Sequence, residues 1–260
     1  MNFSFYRVWT VVLRYWYFNL RTLSSFAEFL YWPLVDILIF GFIGTSLTST
    51  QTENLVTNLM TGMVLWMVLF RCNLEISRNA LQELWDENLI NFFATPLSTS
   101  EWLAGLMFKG LLTISFTILY GWLIVYLFFG QNIFAIGPIF LVFTFLLALS
   151  GWIVGFFAAG CLIVWGQKVD ILVWSLSWLF APMSSVYYPL EILPWPMQMI
   201  GKCLPMTYAF QAMRAKIYAN TIDYHAIAIS FVLNVIYLMG AYAFFNMMLK
   251  KSKNNGLINT

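Results

Sequence analysis

Long apolar runs, separated by short polar segments, follow one another along almost the whole chain. The runs cover residues 26–47, 55–70, 98–129, 133–165, 171–188 and 224–249. A helix of about 20 apolar residues crosses the hydrocarbon core of a bilayer. The pattern therefore predicts an all-α membrane protein with six transmembrane helices. On the fourth of these, small residues at four-residue spacing predict a close helix contact: Gly151, Gly155 and Ala159.

A basic stripe precedes the first span. Arg7, Arg14 and Arg21 recur at intervals of seven residues, which places them on one face of a helix over residues 2–23. Aromatic and aliphatic residues fill most of the remaining positions. This arrangement favours an N-terminal interfacial amphipathic helix whose arginines reach lipid phosphates. The alternative is that it forms the start of a long, tilted first span.

Prolines concentrate between the fifth and sixth predicted spans. Five of the eight prolines of the chain lie in residues 182–214, which are otherwise apolar and aromatic. An irregular backbone exposed to lipid would leave its polar groups without hydrogen bonds. The segment is therefore predicted to form short broken helices before the last span, packed on protein as an extracytoplasmic gate. An ordinary extracytoplasmic loop is the alternative.

Composition and charge placement indicate how the chain lies in the membrane. Hydrophobic residues make up 61% of the 260 residues and charged residues only 9%, so one transmembrane domain over residues 1–260 leaves no room for a separate soluble domain. With six spans, both termini share a side that carries ten of the 13 Lys and Arg residues. The excess of positive charge predicts a multi-pass inner-membrane protein with both termini in the cytoplasm.

Residues 78–101, RNALQELWDENLINFFATPLSTSE, are a charged and amphipathic segment between two apolar runs. One predicted helical face is apolar and includes Leu81, Leu84, Trp85, Leu89, Phe92 and Phe93. The other face carries acids and amides, namely Gln82, Glu83, Asp86, Glu87 and Asn91. We expect a cytoplasmic helix over 79–95 whose acidic face projects into the water and docks on a basic protein groove. A solvated helix without a partner is the alternative.

A helix break and a helix start follow this segment. Pro96 separates the predicted cytoplasmic helix from the next span, because proline interrupts the helical hydrogen bonds. Ser98 and Glu101 have the spacing of a capping box, in which each side chain binds the backbone N–H of the other residue. We therefore expect the third span to begin with Ser98 as its N-cap.

Two motifs in register with the hydropathy pattern carry a family resemblance. Residues 87–98, ENLINFFATPLS, followed by Glu101, Trp102 and Leu103, resemble the cytoplasmic segment of type-2 ATP-binding-cassette (ABC) exporter permeases. Near the other end, PLEILP at 189–194, LPMTYA at 204–209 and Arg214 resemble the family's signature before the last span, with Leu204 where the family often has asparagine. Since both motifs match in position, the resemblance covers nearly the whole chain.

The resemblance implies an exporter subunit of an ABC transporter. Two permease copies, expected as a homodimer, would form the pore, and two separate cytoplasmic ATPase subunits would bind ATP and Mg. This chain has no GxxxxGK[ST] phosphate loop, so it is expected to be neither an ATPase nor another enzyme. No nucleic-acid partner is implied.

The resemblance also assigns roles to residues. The ATPase-coupling helix would comprise Glu83, Leu84, Trp85, Asp86, Glu87, Asn88, Leu89 and Asn91, ending at the helix break of Thr95 and Pro96. The outer gate at 182–214 would include Tyr187, Tyr188, Pro189, Leu190, Leu193, Pro194, Pro205 and Tyr208.

A few polar residues are expected inside or beside the spans. Asp36 is the one acidic residue predicted well inside a span, and such groups are usually functional or paired. Arg71 and Glu75 are four residues apart and can pair on one helical face. Arg71 is also a conceivable partner of Asp36.

The remaining chemistry of the sequence is sparse. Cys72, Cys161 and Cys203 are scattered and His225 is the only histidine, so neither a metal site nor a catalytic site is expected. The 25 Phe, 13 Tyr and 12 Trp residues suit a path for lipophilic drugs and one for sugar rings equally, and they also suit interfacial belts and packing. The substrate is expected to be amphipathic or hydrophobic, a drug-like molecule of the multidrug type or a lipid-like one. Export of a polysaccharide or glycolipid is the alternative within the family. An ion-coupled secondary transporter and a non-transporting membrane scaffold are the alternatives from other classes.

Overall fold

A computed structural model of the chain describes residues 3–21, 23–46, 52–86 and 95–254, and these residues form helices and no strand. The helices, numbered here in chain order, are α1 (Phe5–Arg21), α2 (Leu23–Ser46), α3 (Thr52–Trp85), α4 (Thr99–Phe129), α5 (Ile139–Trp165), α6 (Ile171–Phe180), α7 (Trp195–Cys203), α8 (Pro205–Ala219) and α9 (Tyr224–Asn254). Short 3-10 turns lie at Ile133–Ile136, Gly166–Val169, Ala181–Met183 and Leu190–Ile192. The predicted all-α class is confirmed.

Two central helices form the core of the bundle. The apolar stretches of α3 and α5 are 78% and 72% buried, whereas those of α2 and α9 are only 22% and 17% buried. Lipid must therefore cover most of the outer helices. The predicted close contact of α5 is confirmed, because an added Cβ at Gly151 would lie 2.3 Å from the carbonyl oxygen of Leu69 on α3.

Five helices among the described residues are long and apolar enough to cross a membrane, namely α2, α3, α4, α5 and α9. The run predicted as the fifth span, 171–188, is interrupted. Its helix α6 has 10 residues and gives way to a 3-10 turn that contains Pro182. Ten helical residues rise only about 15 Å, half of the hydrocarbon thickness. Residues 181–204 then continue as turns and the short helix α7.

The end of the bundle where α1 packs is called here the α1 end. At this end the indole N–H of Trp102, near the start of α4, donates to the Tyr15 hydroxyl oxygen at 3.0 Å. The Trp102 ring also lies 6.2 Å from that of Phe245, near the end of α9. Because α1, the start of α4 and the end of α9 meet there, the two ends of the described chain lie at one end of the bundle. Residues 181–204 lie towards the opposite end, where the Val186 carbonyl oxygen approaches Gly62 of α3.

Candidate functional site

Two buried glutamates at the α1 end are bound by the same helix, α1. Glu83 accepts hydrogen bonds from the Arg14 guanidinium at 2.7 Å and from the Tyr15 hydroxyl at 2.6 Å. Glu101 accepts from the Arg7 guanidinium at 2.6 Å. We call these five residues the α1 clamp. They join α1 to the last turn of α3 and to the first turn of α4.

Burial makes the partners of these carboxylates essential. The side chains of Glu83 and Glu101 are only 1% and 0% exposed, and a buried carboxylate is costly unless a cation or several N–H and O–H donors bind it. Glu101 also accepts from the backbone N–H of Ser4 at 2.7 Å. Burial, together with the nearby Glu83 charge, raises the pKa of Tyr15, so its hydroxyl keeps the proton that it donates.

The α1 clamp corrects two expectations from the sequence. Arg7 and Arg14 were expected to reach lipid phosphates, but both bind protein carboxylates. Glu83 was expected on an exposed acidic face, but it is buried. The seven-residue spacing correctly places the arginines on one face of a helix. It cannot show that this face rests on carboxylates from α3 and α4, which are 69 and 94 residues away in sequence.

Only part of the predicted coupling helix lies in the described residues. Residues 79–85 are the last turns of α3 rather than the start of a separate helix. Leu84 is buried with Leu81 and Val173, whereas Trp85 is 47% exposed and Asp86 is also exposed. The Trp85 indole is therefore not buried in the bundle. Glu87, Asn88, Leu89 and Asn91 lie outside the described residues.

The predicted helix break and capping box lie beside the α1 clamp. Thr95 and Pro96 are exposed in a bend, and α4 starts at Thr99. The Ser98 hydroxyl accepts from the Glu101 N–H at 3.3 Å, and Glu101 accepts from the Ser98 N–H at 2.8 Å. The capping box is thus confirmed. Glu101 serves both as the cap of α4 and as the partner of Arg7.

An ion pair with both side chains buried lies deeper in the bundle. Glu75 of α3 binds the Lys109 ammonium of α4, and the two side chains are 8% and 1% exposed. The Glu75 carboxylate also accepts a hydrogen bond from the Thr113 hydroxyl at 2.9 Å and one from the Asn79 side-chain amide at 3.3 Å. Sequence spacing suggests Arg71 as the partner of Glu75 and assigns Lys109 to the cytoplasmic side, so the sequence reasoning misses Lys109. A local i, i+4 rule cannot detect a partner 34 residues away on another helix.

Asp36, the acidic residue predicted inside the first span, faces a cavity of about 420 Å³ between α2, α3 and α6. Arg71 lines the same cavity, so the structure brings together the two residues that the sequence pairs. The walls are largely aromatic and include Trp32, Trp174 and Trp178. Arg71 also donates to the Phe29 carbonyl oxygen at 3.0 Å.

The predicted outer-gate segment is held against the bundle by specific contacts. The Tyr187 ring stacks on Phe40 of α2 with centroids 4.7 Å apart. The Arg214 guanidinium donates to both the carbonyl and the hydroxyl oxygen of Ser185. Ser185 has a positive φ of 62°, which is uncommon outside glycine. The sequence gives no signal for Ser185, although Arg214 belongs to the second motif.

The other predicted gate residues shape the turns. Pro189 precedes the 3-10 turn Leu190–Ile192, Leu193 ends it, Pro194 precedes α7 and Pro205 opens α8. The Tyr188 hydroxyl donates to the Pro182 carbonyl at 2.9 Å, and the Tyr208 hydroxyl donates to the Lys202 carbonyl at 2.9 Å. The prediction of short helices packed on protein therefore holds for this segment. The role of this segment as a gate stays a prediction.

The chain was also compared with known proteins. No protein-family model matches the sequence, and no curated protein is significantly similar to it.

Proposed function

We propose that this chain is the membrane-spanning subunit of an ABC exporter and that residues 84–97 receive the force of a separate ATPase. The α1 clamp is the observation that carries the proposal. It fixes both ends of this segment to the bundle, through Glu83 on one side and Glu101 on the other.

The α1 clamp connects both ends of residues 84–97 to α1. Trp85, Asp86, Thr95 and Pro96 are exposed at the α1 end, where a protein can contact them. A push on these residues would act on α1, α3 and α4 together, because the ion pairs of the α1 clamp join the three helices. Packed helices respond to such a load by shifting as rigid bodies between discrete arrangements.

Residues 181–204 would then act as the outer gate. They consist of turns and one short helix, and the contacts of Tyr187 and Arg214 hold them to α2 and α8. Alternating access would break and remake these contacts. The proposed substrate is an amphipathic or hydrophobic molecule. The proposed assembly has two copies of this chain and two ATPases that bind ATP and Mg, in the inner membrane with both termini in the cytoplasm.

Co-purification with an ABC ATPase encoded beside the chain tests this proposal. Trp85→Ala/Asp86→Ala removes exposed side chains at the α1 end and leaves the clamp intact. The matched control, Glu191→Ala/Trp195→Ala, removes an exposed carboxylate and an exposed indole from the proposed gate segment. We expect the first variant to lose the ATPase and the control to retain it. Retention by both variants, or absence of any ATPase from the wild-type preparation, contradicts the proposal.

A second candidate is an ion-coupled secondary transporter, and the Glu75–Lys109 pair favours it. Buried ionisable groups inside a helix bundle often mark ion or proton pathways. The sequence predicts Asp36, Arg71 and Glu75 inside or beside the spans, and the structure adds Lys109 as the buried partner of Glu75. Purified chain in liposomes without any ATPase would move protons under an imposed potential, and Glu75→Gln would abolish that flux. No flux above that of empty liposomes contradicts this second candidate.

A further inference from the structure

The turn over residues 184–187, which follows the 3-10 turn Ala181–Met183, has an uncommon backbone. Ser185 has a φ of 62°, whereas Ser184 before it has a φ of −82°. A residue with a Cβ is disfavoured in this left-handed region, which glycine adopts freely. Ser185 is also buried. Its conformation is therefore imposed by the surrounding contacts and not by the local preference of serine.

Arg214 of α8 makes the main contact with this strained residue. Its guanidinium donates to both the carbonyl oxygen and the hydroxyl oxygen of Ser185. The Ser185 hydroxyl in turn donates to the Tyr188 carbonyl oxygen at 2.9 Å. Two bonds to one planar guanidinium require both oxygens to face the same side. Arg214 therefore favours the left-handed conformation of Ser185.

The two residues after Ser185 rest on other helices. Val186 is buried, and its carbonyl oxygen would lie 3.1 Å from a Cβ added at Gly62 of α3. The Tyr187 ring stacks on Phe40 of α2, but its hydroxyl is buried and has no hydrogen-bond partner among the described residues. A buried hydroxyl without a partner is costly. The turn therefore carries two local costs, one at Ser185 and one at Tyr187.

The contacts that hold the turn come from three separate helices, α2, α3 and α8. Helix α3 also touches the helix that carries Arg214, because a Cβ added at Gly62 would lie 3.7 Å from Cε of Met213. A shift of α3 against α8 would therefore act on the turn and on its arginine together. Strained backbone persists only where its surroundings impose it, and it is concentrated in switch regions.

We propose that residues 184–187 are the latch of the outer gate. In the closed state Arg214 keeps Ser185 in the left-handed region. When α3 and α8 shift, Arg214 releases Ser185, its φ becomes negative, and Val186 and Tyr187 leave α3 and α2. The relief of both local costs favours this opening. The inference rests on the proposed function for the role of residues 181–204 as a gate, but its tests use the purified full chain without an ATPase.

Glycine and alanine variants measure the strain at Ser185. Both remove the hydroxyl and its hydrogen bonds, so they differ only in the Cβ. We expect Ser185→Gly to melt about 2–4 °C above Ser185→Ala. At Ser184, whose φ is negative, the order should reverse, because glycine loses more backbone entropy on folding. A melting temperature of Ser185→Ala equal to or above that of Ser185→Gly contradicts the proposal.

A cysteine in the turn measures its opening. Val186→Cys is placed in a Cys203→Ser chain, because Cys203 is exposed whereas Cys72 and Cys161 are buried. The rate of labelling by a maleimide in detergent then reports how often position 186 leaves the bundle. We expect Arg214→Gln to raise this rate at least about tenfold, because the latch loses both bonds to Ser185.

Lys216→Gln is the matched control for Arg214→Gln. It removes a positive charge from the same helix, where the Lys216 ammonium donates to the Asn220 side chain at 2.7 Å and not to the turn. We expect its labelling rate to equal that of the parent chain. Equal rates in the two variants contradict the latch. Labelling of Cys203→Ser/Arg214→Gln without the cysteine at 186 also contradicts it, because loss of Arg214 would then open more than the turn.

The latch and the exporter can fail separately. Fast labelling in Arg214→Gln supports the latch even if no ATPase co-purifies with the chain, a result that contradicts the exporter. Co-purification of an ATPase with unchanged labelling in Arg214→Gln supports the exporter and contradicts the latch.

Discussion

Three buried glutamates, Glu75, Glu83 and Glu101, each meet a cation from another helix. A buried ion pair adds little stability relative to an apolar pair of similar volume, but removal of one partner leaves an uncompensated buried charge. These residues therefore determine which helices stay together. Each buried glutamate has a cationic partner, which is why its charge can lie inside the bundle.

Lys109→Met leaves the Glu75 carboxylate buried without its cation. We expect a loss of about 3–5 kcal/mol, which is seen as a lower melting temperature in detergent. Glu75→Gln/Lys109→Met removes both charges and should recover most of that loss. If the double variant is less stable than Lys109→Met, the ion pair is not the origin of the effect.

Ser98→Ala removes the N-cap of α4. The cost should be about 1 kcal/mol, because the Glu101 N–H loses its acceptor. Thermal unfolding measures this cost. The control Ser100→Ala changes an exposed serine in the first turn of α4 and should cost less than half as much. Equal costs for the two variants contradict the capping role.

At the residue scale, rules based on sequence spacing predict contacts within one helix. They do not predict contacts between residues on different helices. The capping box of Ser98 and Glu101 was predicted because the two residues are three apart and their bonds depend only on helix geometry. The partner of Glu101 on α1 was missed because Arg7 is 94 residues away. Only the packing of α1 on α4 brings these two side chains together.

At the scale of elements, α1 is attached to the bundle by a narrow apolar face and by the α1 clamp. Its buried apolar residues are Val8, Val11 and Val12. Many of its aromatic side chains are exposed, among them Phe5 and Tyr6. The ion pairs of Arg7 and Arg14 therefore decide whether this helix stays on α3 and α4.

Arg7→Gln/Arg14→Gln should release α1 from the bundle. We expect the backbone amides of α1 to exchange with deuterium at least about tenfold faster. In the variant, opening of α1 no longer breaks the two ion pairs, and the closed state leaves Glu83 and Glu101 buried without their cations. Hydrogen–deuterium exchange with mass spectrometry measures this change. Arg21→Gln removes an exposed arginine from the same helix and should leave exchange unchanged. Equal exchange in the double variant and the control contradicts the clamp.

Gly201 lets α7 pack closely on the turn before it. An added Cβ would lie 2.6 Å from both the Met183 carbonyl oxygen and the Leu190 side chain. Gly201→Ala should therefore destabilise the protein by about 1–3 kcal/mol. Gly240→Ala adds the same methyl group on α9, where nothing lies within 4 Å, and should be neutral or stabilising. Melting temperatures in detergent compare the two variants, and equal shifts contradict the packing of this segment.

The long helices were predictable because apolar runs of their length form few other structures in lipid. The interruption of the fifth predicted span, 171–188, was not predictable from its hydropathy, because this run is as apolar as its neighbours. Its helix α6 ends at Phe180, next to Pro182. The prolines signalled broken helices from 182 onwards, but they did not show that the preceding helix is too short to cross the membrane by itself.

At the scale of the whole molecule, the two ends of the bundle differ. Charged residues lie at the α1 end, and short broken helices lie towards the other end. The α1 clamp joins three helices beside the exposed residues Trp85, Asp86, Thr95 and Pro96. Residues 181–204 rest on α2, α3 and α8. In the proposed exporter, force enters at the first region and opens the second. The two are linked by α3, which runs from the Gly62 contact with Val186 to Glu83.

Site-specific photo-crosslinking in cells tests the central claim most directly. A photoreactive amino acid replaces Asp86 at the α1 end or, as the control, Trp195 in the proposed gate segment, and the adducts are identified by mass spectrometry. The proposed function predicts that position 86 crosslinks to an ABC ATPase and that position 195 does not. Adducts at position 86 that contain no ATPase, or equal ATPase adducts at both positions, would contradict it.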